Sequence, residues 1–119
     1  MDMVFVGGGE MKRTYIGFSH KYSKLGKPAF TTIRWPDYDV EEGKIYELKV
    51  RGHFLCLAKI TEIVYVPIRD LSDDFIRQDA DCTREEFMTL MQNWYSKKPG
   101  WIGVFSIVKV IYLEKEVAK

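Results

Sequence analysis

Only two cysteines and two histidines occur in the 119 residues. Cys56 and Cys82 form no CxxC, and His20 and His53 pair with neither of them at a metal-ligand spacing, so no zinc site and no disulfide framework is expected. The cysteines read as small buried or half-buried side chains, and the histidines as a surface and a turn residue. No apolar run approaches the roughly 20 residues of a membrane-spanning helix. Met1 to Val6 is apolar, but Gly7-Gly8-Gly9 and Glu10 follow at once with no basic n-region, which predicts no secretory signal and a cytoplasmic location. There is no P-loop, no GxGxxG opening a helix and no βαβ alternation, which excludes the doubly wound nucleotide folds. Internal repeats and low-complexity segments are missing too.

One stretch lacks acids altogether. From Met11 to Pro36 there are six basic residues, Lys12, Arg13, Lys21, Lys24, Lys27 and Arg34, and no Asp or Glu, on a chain whose net charge is +1. A local positive face on a near-neutral protein suits a small anionic ligand or a short nucleic-acid contact better than a long duplex. Inside that stretch, Gly26-Lys27-Pro28-Ala29-Phe30-Thr31-Thr32-Ile33-Arg34-Trp35 starts with turn residues and continues as a β-branched and aromatic strand. It offers an ammonium, two hydroxyls and a guanidinium as donors, with an indole to stack on. That set fits a phosphorylated or heterocyclic ligand.

An apolar content of 46% and a charged content of 29% are those of one globular domain, and 119 residues suffice for a core without staples. Met1 to Glu10 reads as a separable, flexible arm, with Met11 as an alternative start. Met11 to Phe18 is predicted as the first strand and His20 to Gly26 as a short connection with room for one helical turn at Lys21 to Leu25. After Pro36-Asp37-Tyr38-Asp39 and a turn at Glu42-Gly43-Lys44, Ile45 to Val50 alternates as a strand, and Arg51-Gly52-His53 signals a hairpin. Phe54 to Pro67 is long enough for one bent strand or two.

Helices come late. Ser72 caps a short one with Asp73 and Asp74 in its first turn. Thr83-Arg84-Glu85-Glu86 has capping-box order, and Phe87, Leu90, Met91 and Trp94 recur at helical spacing, predicting a helix from Thr83 to Tyr95 with a core stripe. Lys97-Lys98-Pro99-Gly100 ends it. Trp101 to Leu113 is predicted as the last strand, and Glu114 to Lys119 as a charged, frayed tail. The order predicts an α+β protein, a small antiparallel or mixed β-barrel with two short helices inserted before the last strand.

These residues resemble a known family. Gly26-Lys27 through Thr32-Ile33-Arg34, the Gly43 turn into two strands, Asp79-Ala80-Asp81-Cys82-Thr83-Arg84-Glu85-Glu86-Phe87, Trp94-Tyr95 and a Val- and Phe-rich final strand are similar, in that order, to the ASCH domain, over essentially Met11 to Leu113. The resemblance implies a PUA-like barrel with a ligand cleft between barrel and helices, floored by the Thr-x-Arg strand. It implies RNA, nucleotides or modified nucleosides as ligands. Some members remove the acetyl group of acetylated cytidine with a lysine three positions before the threonine, that threonine, and a glutamate just ahead of the second helix. Here the threonine falls on Thr32 and the arginine on Arg34, while the lysine position holds Ala29 and the glutamate position Ala80, with Lys27 and Asp79 nearby.

Three function classes follow. The first is an RNA- or nucleotide-binding module in which Lys24, Lys27 and Arg34 hold phosphate, Thr31 and Thr32 donate to the ligand, and Trp35 or Tyr95 stacks on a base. The second is a small amidohydrolase acting on an acetylated nucleoside through Thr32, Lys27 and Asp79. The third is a coactivator-like interaction module, with a homodimer formed through Met1 to Val6. None of them calls for a metal or a cofactor.

Overall fold

A computed structural model describes residues 14–116. Chain order is β1 (Tyr15–Phe18), a 3-10 turn at Ser23–Gly26, β2 (Ala29–Arg34), β3 (Ile45–Val50), β4 (His53–Pro67), a 3-10 turn at Ile68–Asp70, α1 (Asp73–Ala80), α2 (Arg84–Tyr95), a 3-10 turn at Gly103–Phe105 and β5 (Ile107–Lys115). The five strands form one mixed sheet in the order β1-β3-β4-β5-β2, with β1 parallel to β3 and every other pair antiparallel.

Local chemistry sets most of these elements. Arg51 and Gly52 both take positive φ, 52° and 83°, the pattern of a type I′ turn, whose twist matches the flanking strands of the β3–β4 hairpin. Thr83 accepts from the Glu86 amide and the Glu86 carboxylate accepts from the Thr83 amide, so the capping box that opens α2 is complete. Ser72 accepts from the Phe75 amide and opens α1.

β4 is a single strand of 15 residues whose register shifts between Ile60 and Glu62. A bulge there lets one strand bend and serve two neighbours, β3 with its first half and β5 with its second. The sheet therefore curls into a half-barrel. Two apolar clusters fill its two sides. Ile16, Leu25, Phe30, Leu48, Ile60 and Leu113 belong to one, and Ile33, Trp35, Ile76, Phe87, Met91 and Val110 form the other beneath the helices. Residues of β5 enter both, which is why Val108 to Leu113 reads as an unbroken apolar run around one lysine.

The α+β class and the two helices ahead of the last strand agree with the sequence. Several finer expectations do not. The barrel is open, since among the described residues no ladder joins the edge strands β1 and β2. The last strand starts at Ile107, because Gly103 takes φ 65° and the Ser106 hydroxyl accepts from the Ile102 amide, folding Trp101 to Ser106 into a turn. It also runs past Leu113: Glu114 pairs with Ala29 and Lys115 donates to Leu25 O. Trp94 is not part of the core stripe and stays 49% exposed. The expected arm at 1–10, the dimer contact through Met1 to Val6, the start of the first strand and the last residues of the tail lie outside the described residues.

Candidate site at the open seam

The gap between β1 and β2 is where the chemistry collects. β2 is an edge strand, so among the described residues no strand lies against the side facing away from β5. Two other elements approach it there, the 3-10 turn after β1 and the end of α1. The Ser23 amide donates to Asp81 Oδ2 over 2.8 Å, and Asp81 is the left-handed cap of α1 with φ 56°. That contact seats the turn on the helix and carries Lys24 inward.

Lys24 and Asp79 meet as a buried ion pair, Nζ to Oδ1 at 3.1 Å, with side chains 5% and 6% exposed. The Thr31 hydroxyl donates to the same Oδ1 over 2.8 Å. Burial pushes the Lys24 ammonium below its ordinary value against the pull of Asp79, and pushes the Asp79 carboxyl above its own against Lys24 and the Thr31 hydrogen bond. Withdrawal from water thus disfavours charge on both partners. Removing charged groups from water costs several kcal/mol per ion, so such a pair is weak evidence for stability and stronger evidence for a site.

A cavity of about 250 Å³ opens beside the pair. Its walls are aromatic and apolar, Phe18 and Tyr22 on one side and Phe87, Met91, Trp94 and Tyr95 on the other. Its polar groups include Ser19, Lys24, Thr32, Arg34 and Asp79. The Lys24 ammonium lies 5.5 and 5.2 Å from the ring centroids of Phe18 and Tyr22. Thr32 is 1% exposed and its hydroxyl has no hydrogen-bond partner among the described residues. A buried hydroxyl without a partner is rare enough to require a reason.

Arg34 bridges the seam. Its Nη2 donates to Gly17 O over 2.7 Å and its Nη1 to Ile33 O over 3.2 Å, with the guanidinium between the rings of Phe18 and Tyr38 at 5.2 Å each. One side chain thereby does between β1 and β2 what ladder hydrogen bonds do elsewhere in the sheet. Two of its five donors are committed.

Of the residues expected from sequence, Lys24, Thr32, Arg34, Asp79 and Tyr95 converge on this cavity. Three do not. Lys27 closes the 3-10 turn through its amide to Lys24 O and sends its side chain elsewhere, so Lys24 is the lysine beside Asp79. Thr31 reaches Asp79 from the other face of β2, as alternation requires. Trp35 is 8% exposed and stacks on Tyr95 with centroids 5.2 Å apart, a core contact and not a free face. Ala80 lines the cavity, whereas Ala29 does not. Sequence reasoning missed Phe18, Tyr22 and Trp94. The one signal for Trp94 was its place at the end of the helix, next to Tyr95.

Both cysteines are thiols held above their ordinary values, chiefly by burial, with the carboxylates of Glu86, Asp79 and Asp81 adding to the effect at Cys82. That is the environment of an unreactive thiol. Among the described residues no three His, Cys, Asp or Glu side chains come together as metal ligands. No helix of the described residues is long and apolar enough to cross a membrane. Compared with family models, curated proteins and solved structures, the chain matches none.

Proposed function

We propose that the seam cavity seats one nucleoside unit and that the protein is an RNA- or nucleotide-binding module. The observation that carries this reading is Thr32, a buried hydroxyl without a hydrogen-bond partner among the described residues, set beside a buried Lys24–Asp79 pair in an aromatic-walled cavity. At about 250 Å³ the cavity is smaller than drug-sized ligand sites, which start at about 300 Å³, so it admits a base or a nucleoside and no folded partner. A heterocycle with alternating donors and acceptors complements Lys24 and Asp79 at the inner end, and the Thr32 hydroxyl supplies one further bond. Tyr95 and half-exposed Trp94 offer faces on which a base stacks, each such contact contributing about 1–3 kcal/mol in single-strand binders. Arg34 at the mouth has donors left for a phosphate. The order of motifs that resembles the ASCH family points the same way. Calorimetry of the full chain against single-stranded RNA and free nucleotides, at low and moderate salt, tests this. Binding that weakens with salt, and about tenfold on Thr32→Val, supports it, and absence of binding at either salt refutes it.

A second reading rests on one observation, a lysine held towards its neutral amine in the same cavity as a threonine hydroxyl. In an amidohydrolase acting on an acetylated nucleoside, Lys24 takes the Thr32 proton as the hydroxyl oxygen attacks the amide carbonyl. The C–N bond then breaks, the amine leaves with that proton, and water releases acetate from the threonine ester. Acetate released from acetylated cytidine by the wild-type chain, and none by Thr32→Ala, distinguishes this reaction from binding alone.

A further inference from the structure

A second cavity, of about 360 Å³, opens on the far side of the Lys24–Asp79 pair. The two cavities share Lys24 and are lined by adjacent residues of the same elements: Thr31 and Gln78 face the second where Thr32 and Asp79 face the first. The buried pair is thus a partition, reached from one side by Thr31 and bordered on the other by Thr32. The groups on the second side differ in kind. Lys27 and Gln78 are exposed, and neither side chain has an ion pair or hydrogen bond among the described residues. Thr61 of β4 and Tyr112 and Glu114 of β5 complete the polar lining.

Resting on the reading of the first cavity as a nucleoside seat, we propose that the second cavity takes the neighbouring residue of the same strand, so that the ligand is single-stranded RNA of at least two nucleotides. Lys27 is a compact cation that shares the cavity with Glu114 but forms no ion pair with it or with any other described residue, which leaves it to the linking phosphate. Gln78 presents both a donor and an acceptor, the pattern needed at a base edge. Glu114 is the informative residue. A carboxylate repels phosphate but accepts from a sugar hydroxyl, and the 2′-hydroxyl is the group that separates RNA from DNA. A lysine for the phosphate, an amide for the base and a carboxylate for the ribose divide the parts of a ribonucleotide among them. Lys24, committed to Asp79, stands between the two seats.

The test is calorimetry of the full chain with cytidine, cytidine monophosphate, the dinucleotide CpC and its deoxy counterpart, each also against Lys27→Met and Glu114→Gln. CpC binding at least about tenfold tighter than the mononucleotide, as linked subsites give, is expected. Lys27→Met removes that gain, and Glu114→Gln narrows the difference between CpC and its deoxy form. Both side chains are exposed, so both variants fold. A dinucleotide no tighter than the mononucleotide, or a gain that survives Lys27→Met, overturns the second seat while leaving the first intact. If neither cytidine nor its monophosphate nor CpC binds, the nucleoside reading falls and takes the second seat with it.

Discussion

Lys24 and Asp79 stand 3.1 Å apart with almost no exposed side-chain surface, and they come from elements that are distant in the chain. The pair joins the turn after β1 to the end of α1, so it holds the helical layer against the open edge of the sheet. Breaking a buried pair by removing one partner costs about 3–5 kcal/mol, because the remaining charge is left uncompensated, whereas replacing both by apolar groups is often neutral. Lys24→Met is therefore expected to destabilise by about 3–5 kcal/mol, and Lys24→Met with Asp79→Leu by much less. Urea denaturation of the three proteins measures both. A double variant as weak as the single one would show that the ion pair itself stabilises the fold.

The pH dependence follows from the direction of the Asp79 shift. Its carboxyl is held above the ordinary value by burial, and Lys24 opposes that rise. In Lys24→Met the opposition is gone. The folded state then binds more protons than the unfolded state between the ordinary carboxylate value and the raised one, so stability is greatest at the acid end of that window and declines as pH rises through it. Denaturation free energies of Lys24→Met should fall as pH rises above the ordinary carboxylate range, more steeply than those of wild type. Adding Asp79→Asn should flatten the profile, and a slope that survives it assigns the dependence to another group.

How much of this was legible in the sequence depended on the range of the interactions. The capping box at Thr83 and Glu86, the serine cap of α1 and the Arg51-Gly52 turn are set by residues at most three positions apart, and all three are present. The seam was not legible. Lys27 lies in the same ten-residue stretch as the threonines and was the natural candidate, yet the turn that delivers Lys24 is fixed by a hydrogen bond spanning 58 positions, Ser23 to Asp81. Nothing local to Lys24 announces that contact. Trp94 obeys helical spacing yet stays half exposed at the cavity wall, while its neighbour Tyr95 packs on Trp35, and Gly103 was the one visible sign that the last strand starts late.

Arg34 is expected to matter for stability before it matters for any ligand. Arg34→Ala removes the bond to Gly17 O and the two ring contacts across the seam, and hydrogen bonds to charged groups contribute about 1.5–3 kcal/mol. Arg34→Lys should not restore the loss, since a single ammonium cannot bond two carbonyls along a planar fork while packed between two rings. Thermal melts of both variants without ligand check this. Full rescue by lysine would mean that charge alone closes the seam.

Thr83→Ala serves as a stability change remote from the cavity. Loss of the cap of α2 should cost about 1 kcal/mol, within the range measured for threonine caps. Nucleotide affinity, read by calorimetry below the melting range, should stay unchanged. A fall in affinity would mean that the entry of α2 controls how Phe87 to Tyr95 line the cavity.

Thr32→Val separates function from stability most sharply. Valine keeps the shape of threonine and removes the hydroxyl, and the volume of this buried position is preserved. A buried polar group without a partner costs about 1–3 kcal/mol, so the substitution should leave the protein as stable as wild type or more so. Binding should move the other way, by about tenfold for the loss of one hydrogen bond of ordinary strength. Stability gained with affinity lost is the signature of a residue kept for a ligand, since strained or unsatisfied groups persist where function requires them. Stability lost instead would show that the hydroxyl already has a partner within the folded chain, and the strongest reason for placing a nucleoside in the cavity would be gone.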